Sequence, residues 1–220
     1  VLPDGAGGSG LSAAYVSNLA DFVRRAKANG IYVVPTLTGL PAFNYPCSPS
    51  PESFVYPNSL ILAAECVKQK AAFAYDLMSA LRASLGAQDL SALAWVSIEN
   101  EAFVDSSSPP FDTASSGISV TAANGEEYDV AQPARRGAMV SDGFAFWAET
   151  VCAAVKRVDP LLLCTSGMFT MAAVGKDWHS QKCLPPCTRG GGDSRSGGGG
   201  DCRVPLLPSA LQHCASVDLI

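Results

Sequence analysis

In the run Ser97-Ile98-Glu99-Asn100-Glu101, an amide and a carboxylic acid follow directly on an apolar stretch and precede a Ser/Pro-rich segment, Asp105 to Pro110. If the apolar stretch is a strand, its C-terminal end presents Asn100 and Glu101 to whatever lies over that end. A carboxylic acid there can protonate a leaving oxygen and then, as a carboxylate, activate water, which is the acid/base half of glycosidic bond cleavage. The neighbouring amide can hydrogen-bond a sugar 2-hydroxyl, a contact that strengthens in the transition state. An Asn-Glu pair is common by chance and also serves as a helix cap or surface turn; its position at a strand end is what gives it weight. Glu99 shares strand parity with Glu101. Carboxylates at i and i+2 lie on one wall and cannot flank a sugar from opposite faces, so Glu99 reads as a structural or supporting group.

Trp178 and His179 fall in a loop that should overhang the same place, an aromatic face for stacking on a pyranose beside a donor for hydroxyls, or simply an anchor for the loop. Asn44 and Tyr45 are substrate-contact candidates by position alone. The chain holds eight cysteines, many for a reducing cytosol. Cys152 and Cys164 sit in apolar runs and read as buried thiols. Cys183, Cys187 and Cys202 lie in Gly/Pro/Ser-rich sequence that cannot build a core, where at least one disulfide is expected. With His179 the same three could be drawn as a Cys3His zinc site, but the spacing is irregular and no metal is assigned.

These residues need a scaffold, and one pattern recurs along the chain: an amphipathic helical segment, a short break, then an apolar strand of about six residues. Leu11 to Asn29 is a helix with Ser12 as N-cap and Val16, Leu19, Phe22, Val23 and Ala26 on one face; Gly30 stops it and Ile31 to Leu37 follows as a strand apolar on both faces. Leu60 to Leu85, Gly86 and Leu93 to Ile98 repeat the unit. Ser141 to Val158, Asp159-Pro160 and Leu161 to Ser166 are a third copy, and Leu206 to Cys214 with Ser216 to Ile220 a fourth. Alternating helices and buried strands predict an α/β fold with a parallel sheet. The segments after the strands are long and those after the helices short, the layout of a barrel enzyme. GAGGSG at residues 5 to 10 follows no readable strand, which argues against a dinucleotide site.

A net charge of −5 without a Lys/Arg cluster gives no electrostatic footprint for nucleic acid. No uninterrupted apolar stretch approaches the roughly 20 residues of a membrane span. Residues 183–202 form a Gly/Cys-rich loop insertion, of which Gly190 to Asp201 is too polar and flexible to pack.

LAWVSIENEAFVDSSSPP and TAANGEEYDVAQPARRGAMVSDGFAFWAETVCAAVKRVDPLLLCTSGMF resemble the middle of a cellulase-like protein of glycoside hydrolase family 5, in clan A, and the likeness runs from about Leu11 to Ile220. The resemblance implies a partial (β/α)8 TIM barrel over residues 1–220. In it IYVVPTL, LAWVSI, LLLCTS and SVDLI are strands three to six, Glu101 is the acid/base and Asn100 the 2-hydroxyl contact. It further implies a secreted O-glycosyl hydrolase that retains configuration on a β-linked polysaccharide or glycoside, needing no cofactor. The family's nucleophile is a second Glu at the end of strand seven. On this register it lies beyond Ile220, so the sequence reads as an interior fragment that alone exposes strand edges and is inactive. The rival reading is a catalytically inactive barrel kept for carbohydrate binding or scaffolding.

Overall fold

The computed structural model describes residues 10–41, 43–49, 54–112, 118–174 and 201–218. Helix α1 (Ala13–Ala28) starts where predicted, with the Ser12 hydroxyl accepting from Tyr15 N at 3.3 Å. Its buried stripe is Val16, Ala20, Val23 and Ala26. Phe22, expected on that stripe, is exposed; six residues from Val16, it lies about 240° round the helix at ~100° per residue. Gly30 ends the helix in a left-handed conformation (φ 69°), with Gly30 N donating to Lys27 O and Ile31 N to Ala26 O, the paired bonds of a Schellman stop.

The second predicted helix is two: α2 (Asn58–Leu62) and α3 (Ala64–Leu90), divided at Ala63, whose backbone is extended. No Gly or Pro marks this break in the sequence. Gly86 is left-handed as expected of a stop, but helical turns resume after it up to Leu90. Helix α4 (Pro133–Val158) begins eight residues before the predicted Ser141. Pro133 occupies its first turn, where a missing N–H costs nothing and a fixed φ suits the helix. By length and composition α4 could cross a bilayer, yet Phe144, Trp147, Val151 and Val155 on it are core residues with no exposure. The last predicted helix shrinks to α5 (Pro208–Leu211).

The first three predicted strands pair side by side in chain order; the fourth forms no strand among the described residues. Val33 and Thr36 bridge in parallel to Leu93 and Ser97. Strand β1 (Val96–Ser97) pairs in parallel with β5 (Cys164–Thr165), and Asp218 N donates to Cys164 O at 2.7 Å. Regular pairing is shorter than the six residues expected. The row from Ile31 to Leu37 is not buried on both faces: Ile31 and Tyr32 are exposed, because among the described residues this row has a neighbour on one side only. Three two-stranded sheets are present and no closed barrel is formed by the described residues. The other two sheets arise in segments read as loops. Strand β2 (Phe103–Asp105) pairs antiparallel with β6 (Arg203–Pro205), and β3 (Ser119–Thr121) forms a hairpin with β4 (Glu127–Asp129) across Asn124-Gly125, a turn signal with Gly125 at positive φ.

Two disulfides are formed between described cysteines, Cys47–Cys66 and Cys152–Cys164, bonds that persist in oxidising compartments. The second corrects the reading of Cys152 and Cys164 as buried thiols. Helix α4 folds back on β5 across the Asp159-Pro160 turn, which brings their Cα atoms to 5.6 Å, inside the range a disulfide spans. Cys202 is also disulfide-bonded, and Cys214 carries a free thiol. Cys183, Cys187 and nearly all of the 183–202 insertion lie outside the described residues. Replacing both Cys152 and Cys164 by Ala is expected to lower unfolding stability by about 2–4 kcal/mol, measured by denaturant titration, whereas Cys214→Ala should change it little.

Candidate functional site

The site begins where β1 ends. Ile98, fully buried, donates its N–H to Thr165 O at 2.8 Å, and the chain then passes under Gly167. Gly167 N donates to Glu99 O at 2.8 Å and Ala102 N to Gly167 O at 3.1 Å, so the Glu99-Asn100-Glu101 segment is held at both ends by one residue. A side chain at Gly167 would put its Cβ 2.9 Å from Glu99 O, 3.0 Å from Glu101 N and 3.3 Å from Asn100 Cα, closer than a methyl group and backbone can sit. Glycine is required here by close approach rather than by φ.

Glu99 turns inward. Its carboxylate accepts from Gly39 N at 2.9 and 3.1 Å, from Asn100 N at 3.1 Å, and pairs with Lys70 Nζ at 3.3 Å. Lys70 is fully buried on α3 and also donates to the carbonyls of Leu37 and Gly39. Burial pulls the Lys70 ammonium below its ordinary value, and the Glu99 charge acts against that pull. Four elements of the chain therefore meet at one ion pair: the end of the Ile31–Leu37 row, its following turn, α3 and the end of β1.

Asn100 and Glu101 turn outward. Both are exposed, and Glu101 adopts a left-handed backbone (φ 50°) that a residue with a Cβ rarely takes. That twist redirects the chain into β2. There Arg203 on β6 places its guanidinium 5.7 Å over the Phe103 ring and 5.1 Å over that of Phe169, and bonds Asp201 at 2.6 Å. The Asp201 hydrogen bond foremost, with the charges of Asp201 and Glu101, raises the Arg203 guanidinium above its ordinary value.

A pocket of about 200 Å³ opens at this point, and Glu99, Asn100 and Glu101 all line it. Its opposite wall is Tyr56, Pro57, Leu60 and Ile61 at the start of α2, with Trp147 of α4 also lining it. Asn58 holds that wall in place: its buried amide donates to Asp105 O and Pro109 O, both at 2.9 Å, and accepts from Asp105 N at 2.7 Å. Trp147 is fully buried, and its indole Nε1 has no hydrogen-bond partner among the described residues.

Of the residues singled out in the sequence, the structure brings together Asn100 and Glu101, with Glu99 as their support. Asn44 and Tyr45 do not line the pocket. Tyr45 is a core residue whose hydroxyl donates to Asp76 at 2.9 Å and whose ring packs on Phe73; burial, helped by Asp76, raises its phenol. Asn44 is half-buried in the turn after Pro41. Trp178 and His179 lie outside the described residues. The Cys3His alternative loses a thiolate, since Cys202 is disulfide-bonded.

Lys70, Gly167, Arg203 and Trp147 were not recognised as site residues in the sequence. For Lys70 the signal was there: it falls in the stripe of Cys66, Val67, Phe73, Ala74 and Leu77, and a lysine inside such a stripe must find a partner. Comparison with protein-family models, curated proteins and solved structures finds no match for this chain.

Lys70→Met or Glu99→Gln alone should each cost about 3–5 kcal/mol, because either strands a buried charge or its acceptors. The double variant is expected to cost clearly less than their sum in a denaturation cycle. The depressed Lys70 value adds a pH signature. Between that value and the unfolded lysine's ~10.4 the unfolded chain holds the extra proton, so this site's contribution to stability rises with pH there and the rise disappears in Lys70→Met. Gly167→Ala should shift the backbone amide resonances of Glu99 to Ala102 and cost about 1–3 kcal/mol.

Proposed function

We propose that this chain carries the acid/base half of a retaining glycoside hydrolase site, Glu101 protonating the glycosidic oxygen and then activating water, Asn100 binding the 2-hydroxyl. The observation that carries the reading is the state of Glu101. It is exposed, makes no hydrogen bond with a described residue, lines a pocket beside Asn100, and is held in a backbone conformation that costs energy and persists only where the surroundings impose it. The parallel pairing of the rows in chain order is compatible with consecutive strands of a (β/α)8 barrel, and a carboxylate at the end of the second row then faces the catalytic mouth. The resemblance to glycoside hydrolase family 5 points the same way, toward a β-linked polysaccharide or glycoside. The disulfides suit a secreted protein.

A retaining reaction needs a second carboxylate about 5 Å from the first, across the sugar. Glu99, the other acid lining the pocket, is occupied by Lys70 and two backbone amides. That occupation favours a second reading, a carbohydrate-binding barrel without turnover. The two separate on a single comparison. In full-length protein assayed on aryl β-glycosides, Glu101→Gln should lower turnover by about 10²- to 10⁴-fold. Added azide should restore part of it with activated leaving groups, trapping a glycosyl azide. Equal non-zero rates for the two proteins remove Glu101 from catalysis, and no turnover by either with sugar binding intact assigns the binding role.

A further inference from the structure

We propose that the exposed ring of Tyr56 is the platform on which the sugar lies, its face against the C–H bonds of one pyranose ring while Thr38, Asn100 and Glu101 meet the hydroxyls at that ring's edge. The inference rests on the carbohydrate reading and assigns the residue that orients the sugar at this site.

Three aromatic side chains line the pocket: Tyr56, Phe103 and Trp147. Trp147 has no exposure and presents no face to a ligand. Phe103 already has the Arg203 guanidinium 5.7 Å over its ring and the Phe169 ring edge-on at 6.3 Å. Tyr56 is 71% exposed, so its ring is open at the mouth of the pocket. Apolar side chains exposed singly are ordinary on a protein surface, but this ring continues an aliphatic wall of Pro57, Leu60 and Ile61. The polar side of the pocket carries the Thr38 hydroxyl, the Asn100 amide and the Glu101 carboxylate, all on exposed residues, and together these groups both donate and accept. The Glu99 carboxylate is already taken by Gly39, Asn100 and Lys70. A pyranose is divided in the same way, with hydroxyls around its edge and C–H bonds on its faces, and an open aromatic ring beside a few polar groups answers both parts.

The platform is also fixed relative to the acid. Ser59 N donates to Val55 O at 2.8 Å and Leu60 N to Pro57 O at 3.0 Å, which closes the turn that carries Tyr56. The buried Asn58 amide then ties this turn to Asp105 on β2, the strand that begins two residues after Glu101. A contact surface held in place orients what it binds, because little freedom is left to lose on binding. The pocket, at about 200 Å³, is smaller than the roughly 300–1,000 Å³ of clefts that enclose drug-sized ligands, a size for one ring rather than a chain of them.

The test is NMR on the ¹⁵N-labelled full chain with methyl β-D-glucopyranoside, methyl β-D-mannopyranoside and, as an acyclic polyol with hydroxyls but no ring face, sorbitol. At least one glycoside should bind, shifting the Asn100 and Glu101 amides, with saturation transfer from aromatic protons concentrated on the C–H protons of one ring face. Sorbitol should bind at least about tenfold more weakly. Tyr56→Ala should raise the glycoside Kd about tenfold and remove the one-face pattern, whereas Tyr56→Phe and Tyr56→Trp should stay within about twofold of the parent. The ring is mostly exposed, so all three variants should keep the parent's denaturation midpoint. Sorbitol binding as tightly as the glycosides, or an equal loss in Tyr56→Phe and Tyr56→Ala, overturns the proposal. If the Asn100 and Glu101 amides respond to a glycoside with the same Kd in Tyr56→Ala, the platform falls and the carbohydrate reading stands. Silence from every signal with both glycosides removes the two together.

Discussion

An ammonium group with no exposure must be answered by fixed acceptors, and at Lys70 those acceptors come from places distant in the chain. Leu37 and Gly39 supply carbonyls, Glu99 supplies a carboxylate, and Gly39 returns its N–H to that carboxylate. None of these groups can drift without stranding another, because transfer of a charge from water is recovered only through such contacts. The register of the Ile31–Leu37 row against β1, the seating of α3 and the direction of the Asn100-Glu101 corner follow from this one arrangement. Glu99, beside Asn100 and Glu101, is thereby committed to holding the corner in place.

The second constraint is steric. Gly167 lets two backbones touch at the end of adjacent rows, and beyond that contact the chain has nowhere to continue as a strand. Glu101 takes the left-handed turn, β2 leaves at an angle and is caught by β6, and Asn58 ties the far end of β2 to the start of α2. The pocket is the space enclosed by these ties. Its walls combine residues of α2, α4 and β2 with the irregular Glu99-Asn100-Glu101 corner, which is fixed by single hydrogen bonds rather than by a helical or sheet repeat.

That difference explains what could be read in the sequence. Helix α1 with Ser12 and Gly30, the body of α3, the body of α4, and the pairing rows at Val33, Val96 and Cys164 follow local rules of capping and apolar spacing, and these are legible one window at a time. Asn100 and Glu101 were legible because they directly follow such a row. Trp147 looked like any apolar residue on the α4 face, since only its neighbours show that its N–H has no acceptor. The Cys152–Cys164 bond depends on how far a helix leans back on its strand, and spacing alone left it unread. The β2–β6 ladder joins residues about a hundred positions apart, and nothing local to Phe103 announces Arg203. The hairpin across Asn124-Gly125 is different: its turn signal was present and was passed over within a long loop.

The Cys152–Cys164 bond has one more effect, on how the molecule ages in the presence of proteases. The turn it spans carries Leu161, 87% exposed, at a bend where proteases find backbone easily. A cut there would leave α4 and β5 joined through sulfur, so the nicked chain would keep both halves and migrate as one piece until a reductant separates them. Wear at this turn would be invisible to size measurements made under oxidising conditions, and the protein would outlive its own peptide bond.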